Sequence, residues 1–176
     1  MKKEVYEKAV KATLKQFKKA GIALTAEERK RIEVADFGLN DLEHIGLQIL
    51  TYINTDRVCA KEMVLFPAQT CPEHKHVGSG VIAGKEETFR CRYGTVYLYV
   101  DGESSRGDIS LPETKVSVFK EIVLNEGEQY TIYPETLHWF RAGARGAVVS
   151  EFSTRSTDET DVFTDERIVR APTVEE

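Results

Sequence analysis

Thr88-Phe-Arg-Cys-Arg-Tyr93 and Val96-Tyr-Leu-Tyr-Val100 stand almost back to back, with only Gly94-Thr95 between them. Both are short and rich in β-branched and aromatic residues, the composition of strands. Side chains alternate faces along a strand, so Phe89, Cys91 and Tyr93 share one face and Thr88, Arg90 and Arg92 the other. The apolar pair Phe89 and Cys91 marks the interior. The same texture extends in both directions. It includes Leu47–Ile53, Ala60–Phe66, Val118–Leu124, Tyr130–Ile132, His138–Phe140 and Ala147–Phe152, with Gly, Pro, Asn and Asp between the runs. Several strands at short intervals, with no helical pattern between them, predict a mainly β barrel or sandwich rather than βαβ units. Residues 101–117 read as an exposed hairpin loop.

Ahead of this region the period changes. Val5, Ala9, Ala12, Leu14 and Phe17 form a rough apolar stripe among lysines that ends at Gly21. Thr25-Ala-Glu-Glu28 is a capping box, so a second helix is expected from there to Phe37-Gly38. At 176 residues the chain is expected to be one domain: helices over 1–37, a barrel over 45–155 and a C-terminal segment over 156–176. The tail from about residue 170 is polar and expected to fray. The net charge of -5 argues against a nucleic-acid surface or a polybasic membrane patch. No apolar run is long enough to span a membrane, and Met1-Lys-Lys is not followed by the apolar stretch of a secretory signal. Cys59, Cys71 and Cys91 are odd in number and widely spaced, which reads as reduced thiols in a cytoplasmic protein.

The histidines carry the chemistry. His74 and His76 are alternate residues and share a face, with Glu73 and Lys75 opposite. Glu87 belongs to the interior face with Phe89, whereas Glu86 does not. His138 shares a face with Phe140, leaving Trp139 and Arg141 outside. Separate strands can thus aim His74, His76, Glu87 and His138 at one point. Three imidazoles and a carboxylate suit a borderline divalent transition metal.

The order His-x-His, then Glu with Gly94 seven residues later, then Gly127-Glu-Gln-Tyr-Thr-Ile-Tyr-Pro-Glu-Thr-Leu-His138, resembles the two motifs of the cupin family. That resemblance implies a double-stranded β-helix, a jelly-roll barrel, over residues 45–153. Two features depart from the usual cupin. Val77 to Glu86 lengthen the interval before the Glu, with Gly78, Gly80 and Gly84 inside it, which suggests a flexible loop at the site mouth. Tyr133 and Glu135 replace the usual Pro and Gly. Longer segments resemble the D-lyxose isomerase family of cupins. They include Thr51-Tyr-Ile-Asn-Thr-Asp-Arg57, Lys61-Glu-Met-Val-Leu-Phe-Pro67, Gln69-Thr-Cys-Pro-Glu-His-Lys-His76, Gly84–Tyr99, Tyr130–Phe140, Ala147–Thr154 and Asp161-Val-Phe163. The family resemblance implies a manganese-type metal (Co, Fe or Zn being alternatives), a monosaccharide substrate, and conversion of D-lyxose to D-xylulose with D-mannose to D-fructose as a side activity. It also implies a homodimer, for which the need to cover barrel edge strands is a further reason.

Aldose–ketose isomerisation needs a base for the C2 proton and a group that moves a proton between the two oxygens. Lys85 lies two residues before Glu87 and so shares its face if the strand is regular. Burial near a cation is expected to disfavour its charged form. Glu151 lies in an apolar strand, where a carboxylate is costly without a partner. Parity alone leaves both open as surface residues. The family pattern has a Lys two before the ligand Glu and a Glu in the strand after the last His, which selects Lys85 and Glu151 as the catalytic pair. Asp161 and Phe163 are expected over the sugar, and Lys61 is a further candidate sugar-binding residue that either points inward with Met63 and Leu65 or snorkels to the surface. Arg90 and Arg92 are expected to pair with surface carboxylates, and Trp139 to pack on the N-terminal helices or a second subunit. An iron-dependent cupin dioxygenase would use the same ligands without a Lys–Glu relay. A non-catalytic sugar-binding cupin would bind aldose without turnover. A phosphosugar isomerase would need a basic cluster that only Arg90 and Arg92 supply.

Overall fold

A computed structural model describes residues 1–81, 83–107, 110–170 and 174. The chain runs α1 (Lys3–Lys19), α2 (Ala26–Lys30), β1 (Glu33–Ala35), β2 (Leu47–Asn54), β3 (Cys59–Leu65) and β4 (Thr70–Lys75). There follow β5 (Glu87–Val100), β6 (Lys120–Asn125), β7 (Gln129–Ile132), β8 (His138–Ser153), a 3-10 turn (Asp158–Thr160) and β9 (Val162–Phe163). All strand pairs are antiparallel, and the sheet curls into the expected cupin-type barrel.

Two expected pairs of strands are each one long strand. Thr88–Tyr93 and Val96–Val100 join in β5, and His138–Phe140 and Ala147–Phe152 join in β8. β5 and β8 pair along their lengths, from Glu87↔Ser153 to Val100↔His138. At the bend, Gly94 and Gly146 both have positive φ, and a Cβ on Gly94 would lie 2.0 Å from the Gly146 carbonyl oxygen. Glycine there reads as a break in sequence, yet it lets two continuous strands turn a corner in contact. The two halves of β8 then serve different neighbours: His138–Arg141 meets β4, and Ala147–Ser153 meets β3. This arrangement brings His138 and Glu151, at opposite ends of one strand, to the same interior.

The N-terminal elements differ from expectation. α1 buries Ala9, Thr13, Gln16 and Phe17, a stripe at helical spacing, while Val5 is exposed. Its stripe packs with Leu50, Val64 and Val148 on the outer face of the sheet. The capping box is present: Glu28 N donates to Thr25 Oγ1, and Thr25 N to Glu28 Oε2. The helix it starts ends at Lys30 rather than at Phe37-Gly38. Ile32 and Val34 are buried around exposed Glu33, and β1 pairs with β2. A β-branched alternation with a sheet edge available outweighs the local helix signal.

The outer surface brings two further corrections and one refinement. Trp139 does not meet the N-terminal helices. It stacks on Tyr99 with ring centroids 3.9 Å apart, donates to Val118 O, and is covered by residues 116–119. Arg90 bonds the Gln129 amide oxygen rather than a carboxylate. The 101–117 segment is largely exposed, as expected, with Thr114 buried and residues 108–109 lying outside the described residues. Its end packs down, with Ser117 N and Val118 N donating to Glu73. In the tail, Arg170 is anchored by Glu33 and Asp158, whereas 171–173 and 175–176 lie outside the described residues, as does Ile82 in the long loop.

Candidate metal centre and proton-transfer residues

β4 and β8 place His74 and His138 opposite each other in register, and His76 follows just past the end of β4. The ring centroids lie 4.3 Å (His74–His138), 5.0 Å (His74–His76) and 5.2 Å (His76–His138) apart. One nitrogen from each ring lies within 4.8 Å of the others, so the three can share one ion. All three are buried. Glu87 opens β5 and points its Oε1 between them, 3.1 Å from His76 Nε2 and 3.2 Å from His138 Nε2. Strand parity in the sequence therefore leads to one cluster of all four side chains.

The outer nitrogens explain which atoms face the centre. His74 Nδ1 lies 2.8 Å from Pro72 O, His138 Nδ1 2.9 Å from Thr136 O, and His76 Nδ1 2.5 Å from Asp161 Oδ1. An acceptor at each Nδ1 favours the proton there and turns the Nε2 lone pair inward, the arrangement typical of metal-binding histidines. His138 Nε2 is buried with no hydrogen-bond partner, so a cation at the centre would satisfy it. The donor set of three imidazoles and one carboxylate thus fits a divalent metal. Burial and the neighbouring rings push His74 well below the usual histidine range. His76 goes the other way: burial opposes its charge, but Glu87 and Asp161 hold it up to about 9. The carboxylates that favour a proton on His76 equally favour a metal cation, which competes with that proton.

Lys85 and Glu151 lie beside this cluster, both almost wholly buried. Gly84 makes the approach possible. A Cβ there would fall 2.1 Å from His76 O, so only glycine lets the chain pass the end of β4 this closely. Lys85 Nζ is 2.7 Å from Glu87 Oε2, 3.2 Å from Glu151 Oε1 and 3.3 Å from Asp158 Oδ1. Burial opposes its charge, but Glu151, Glu87 and Asp158 raise Lys85 well above the usual lysine value. Conversely, Lys85 and His76 outweigh the burial of Glu87 and hold it well below the carboxylate range. Glu151 stands opposite Lys61 in the β3–β8 register, and both point inward.

The cavity beside these groups is lined by residues singled out in the sequence, including Lys61, Lys85, Glu151, Asp161 and Phe163. Phe163 packs against His74 at 5.3 Å between ring centroids and against Phe37 at 5.8 Å. Asp161, expected over the sugar, also has a partner not foreseen, the Nδ1 of His76. Three residues were missed. Asp158 bonds both lysines, Arg170 bonds Asp158, and Glu73 sits behind His74 accepting from Ser117 N, Ser117 Oγ, Val118 N and Thr164 Oγ1. A polar run such as Thr157-Asp-Glu-Thr-Asp161 reads as surface. The one available clue was its position just before the Asp161-Val-Phe163 stretch.

A family model described as D-lyxose isomerase matches residues 10–176. The D-lyxose/D-mannose isomerase of Thermosediminibacter oceani is 59% identical over 178 residues, covering 99% of this chain and 96% of that protein. The D-lyxose ketol-isomerase of Cohnella laeviribosi is 58% identical, covering 90% of each. Among solved structures, the L-ribose isomerase of Cellulomonas parahominis superposes with a TM-score of 0.77 at 17% identity, covering 99% of this chain and 98% of its own, which bears on the fold alone. The barrel, its buried carboxylates and lysines, and these sequence relatives together define an aldose–ketose isomerase of the cupin class. Within that class the chain belongs to the D-lyxose isomerase family.

Proposed function

We propose that this chain interconverts D-lyxose and D-xylulose, with D-mannose and D-fructose as a slower pair, using a divalent metal, preferably manganese, held by His74, His76, Glu87 and His138. The observation that carries the reading is the convergence of those four buried side chains beside an inward-facing Glu151 and Lys85. When bound, the metal would supply Lewis-acid polarisation of the sugar carbonyl. The protein residues supply the proton transfers. Glu151 takes the proton from C2, leaving an enediol, and returns it to C1. Lys85, kept as an ammonium, gives a proton to the oxygen on which charge develops and recovers one from the neighbouring oxygen. Asp161 would bind sugar hydroxyls, Lys61, an expected sugar contact, is held instead by Asp158 and Ser156, and Phe163 offers the ring an apolar wall.

The relatives named for D-lyxose and D-mannose support the choice of substrates. The cavity's cationic side chains are already paired with carboxylates, which favours a free sugar over a phosphorylated one. We further propose a homodimer formed through the outer sheet face, where Tyr52, Ile53, Val58 and Phe152 are exposed. A cytoplasmic location accords with three buried, unpaired cysteines, and no helix among the described residues is long and apolar enough to cross a membrane. The test is ketose formation from a panel of free and phosphorylated aldoses after loading with Mn, Fe, Co or Zn. D-lyxose with manganese should turn over fastest. No ketose with any metal, or a preference for phosphosugars, would refute the reading.

A further inference from the structure

Glu151 has two lysines beside it: Lys85 donates to its Oε1 at 3.2 Å, whereas Lys61 does not close on it. Lys61 faces it across the β3–β8 ladder, yet Lys61 Nζ stands 3.7 Å from Glu151 Oε1. The same nitrogen lies 2.6 Å from Asp158 Oδ2 and 2.8 Å from Ser156 Oγ. Asp158 thus outcompetes the cross-strand partner. Its carboxylate is itself held in place. Arg170 Nη2 lies 3.2 Å from Oδ2, Ser156 Oγ donates to Oδ1, and Arg170 is fixed in turn by Glu33 on β1 at 2.5 Å. Asp158 also borders a surface cleft shared with Glu33, Thr51 and Asn54, so the clamp reaches the active cavity from outside the barrel wall.

A general base must offer a lone pair to the C–H it attacks. An ammonium bonded directly to a carboxylate makes a charge-assisted hydrogen bond, about twice as strong as a neutral one. One such donor, Lys85, already holds Glu151 Oε1, and a second from Lys61 would occupy lone pairs the base needs. Lys85 has Glu87 as its nearest carboxylate, whereas Lys61, among the described residues, has Asp158 and Glu151 within reach. We infer that Asp158 is a positioning residue for the isomerisation: it draws Lys61 away from Glu151 and so spares the base a second ammonium beside the donors it already has, Lys85 and Ser153. This rests on the reading of Glu151 as the base given above.

The test is a double-mutant cycle on D-lyxose turnover, with metal content and melting temperature measured on every variant. Asp158→Asn keeps the shape but cannot compete for Lys61. Its kcat should fall on the order of 10²-fold, the scale of a misplaced catalytic group, with KM changing far less. Asp158→Asn combined with Lys61→Met should regain roughly 10-fold or more of that kcat, because no second ammonium remains to close on Glu151. A merely structural Asp158 would make the double variant worse. A single variant within about threefold of wild-type kcat, or a double variant no faster than the single, overturns the inference. If Asp158→Asn does not fold, the charge-balanced double variant is compared with Lys61→Met alone. Equal kcat supports the proposal, and a further loss of about 10-fold overturns it. Wild-type enzyme that makes no ketose from D-lyxose would instead refute the reading of the reaction.

Discussion

Replacing Glu151 by Gln tests the proton-transfer reading most directly. Gln keeps the length and the acceptor oxygen, so Ser153 Oγ (2.9 Å) and Lys85 Nζ (3.2 Å) can still donate to the side chain. What is lost is the negative charge and the ability to accept a proton from C2. Removing one member of a buried ion pair costs about 3–5 kcal/mol when the other is stranded. Here neither lysine is stranded: Lys61 keeps Asp158 at 2.6 Å and Lys85 keeps Glu87 at 2.7 Å. The stability cost should therefore fall below that range, at roughly 1–2 kcal/mol, and the four candidate metal ligands are untouched. Catalysis should suffer far more. A general base contributes about 10²–10⁴-fold, which at about 1.36 kcal/mol per decade raises the barrier by roughly 3–5 kcal/mol. The assay is D-xylulose formation from D-lyxose at saturating substrate, with metal content and denaturant midpoint from the same preparation. Turnover within about threefold of wild type, with metal bound, would refute the role of Glu151. Running the wild-type reaction in D₂O examines the step itself. An enediol route places deuterium at C1 of the ketose. Its absence would point to a direct hydride shift and leave Glu151 to position hydroxyls.

Other outcomes follow from the same geometry. His76→Ala should lose bound metal by elemental analysis, and full retention would remove His76 from the site. Because His76 is held up to about 9, it is protonated at pH 7, so metal uptake at that pH should release close to one proton, detectable with an indicator dye. Glu73→Ala should destabilise the fold by on the order of 2–3 kcal/mol in urea titration, since it strands the buried Val118 N–H and leaves the part-buried Ser117 N–H and two hydroxyls without the carboxylate they share. A cost below about 1 kcal/mol would mean that water replaces that carboxylate readily. Against the opposing cost of burial, Lys85, Lys61 and Arg170 hold Asp158 well below the carboxylate range, and Arg167 does the same for Asp165. Groups with depressed folded values stabilise fully above their unfolded value, near ~4, and lose that contribution as the pH falls below it. The urea midpoint should accordingly drop between pH 5 and 3, and Asp165→Asn should make that drop shallower. Light scattering at micromolar concentration should give the mass of a dimer, and a monomeric mass would exclude it.

The amino-acid sequence by itself determined the mainly β character of residues 45–155 and the identity of the four clustered side chains. Both rest on local alternation, which acts between neighbours and is visible in any window of a few residues. Strand parity sufficed to choose Glu87 over Glu86 and to pair His74 with His76. For Lys85 and Glu151, parity left the choice open and family resemblance was needed. Only the tertiary structure decided that Gly94 is a corner in one strand, because that depends on Gly146, 52 positions away in the chain, crossing it in contact. It alone decided that residues 33–35 form a strand, since β1 exists by pairing with β2. It also placed Asp158 on Lys61 and Lys85, Arg170 on Asp158, and Glu73 under the 115–118 segment. These are charged residues in or beside polar runs, where sequence reads as solvent-facing. Their burial and their partners come from segments 12 to 97 residues distant folding over them. No local pattern encodes that cover. For the same reason the surroundings of Lys85 are not legible locally, because three carboxylates reach it from different parts of the chain.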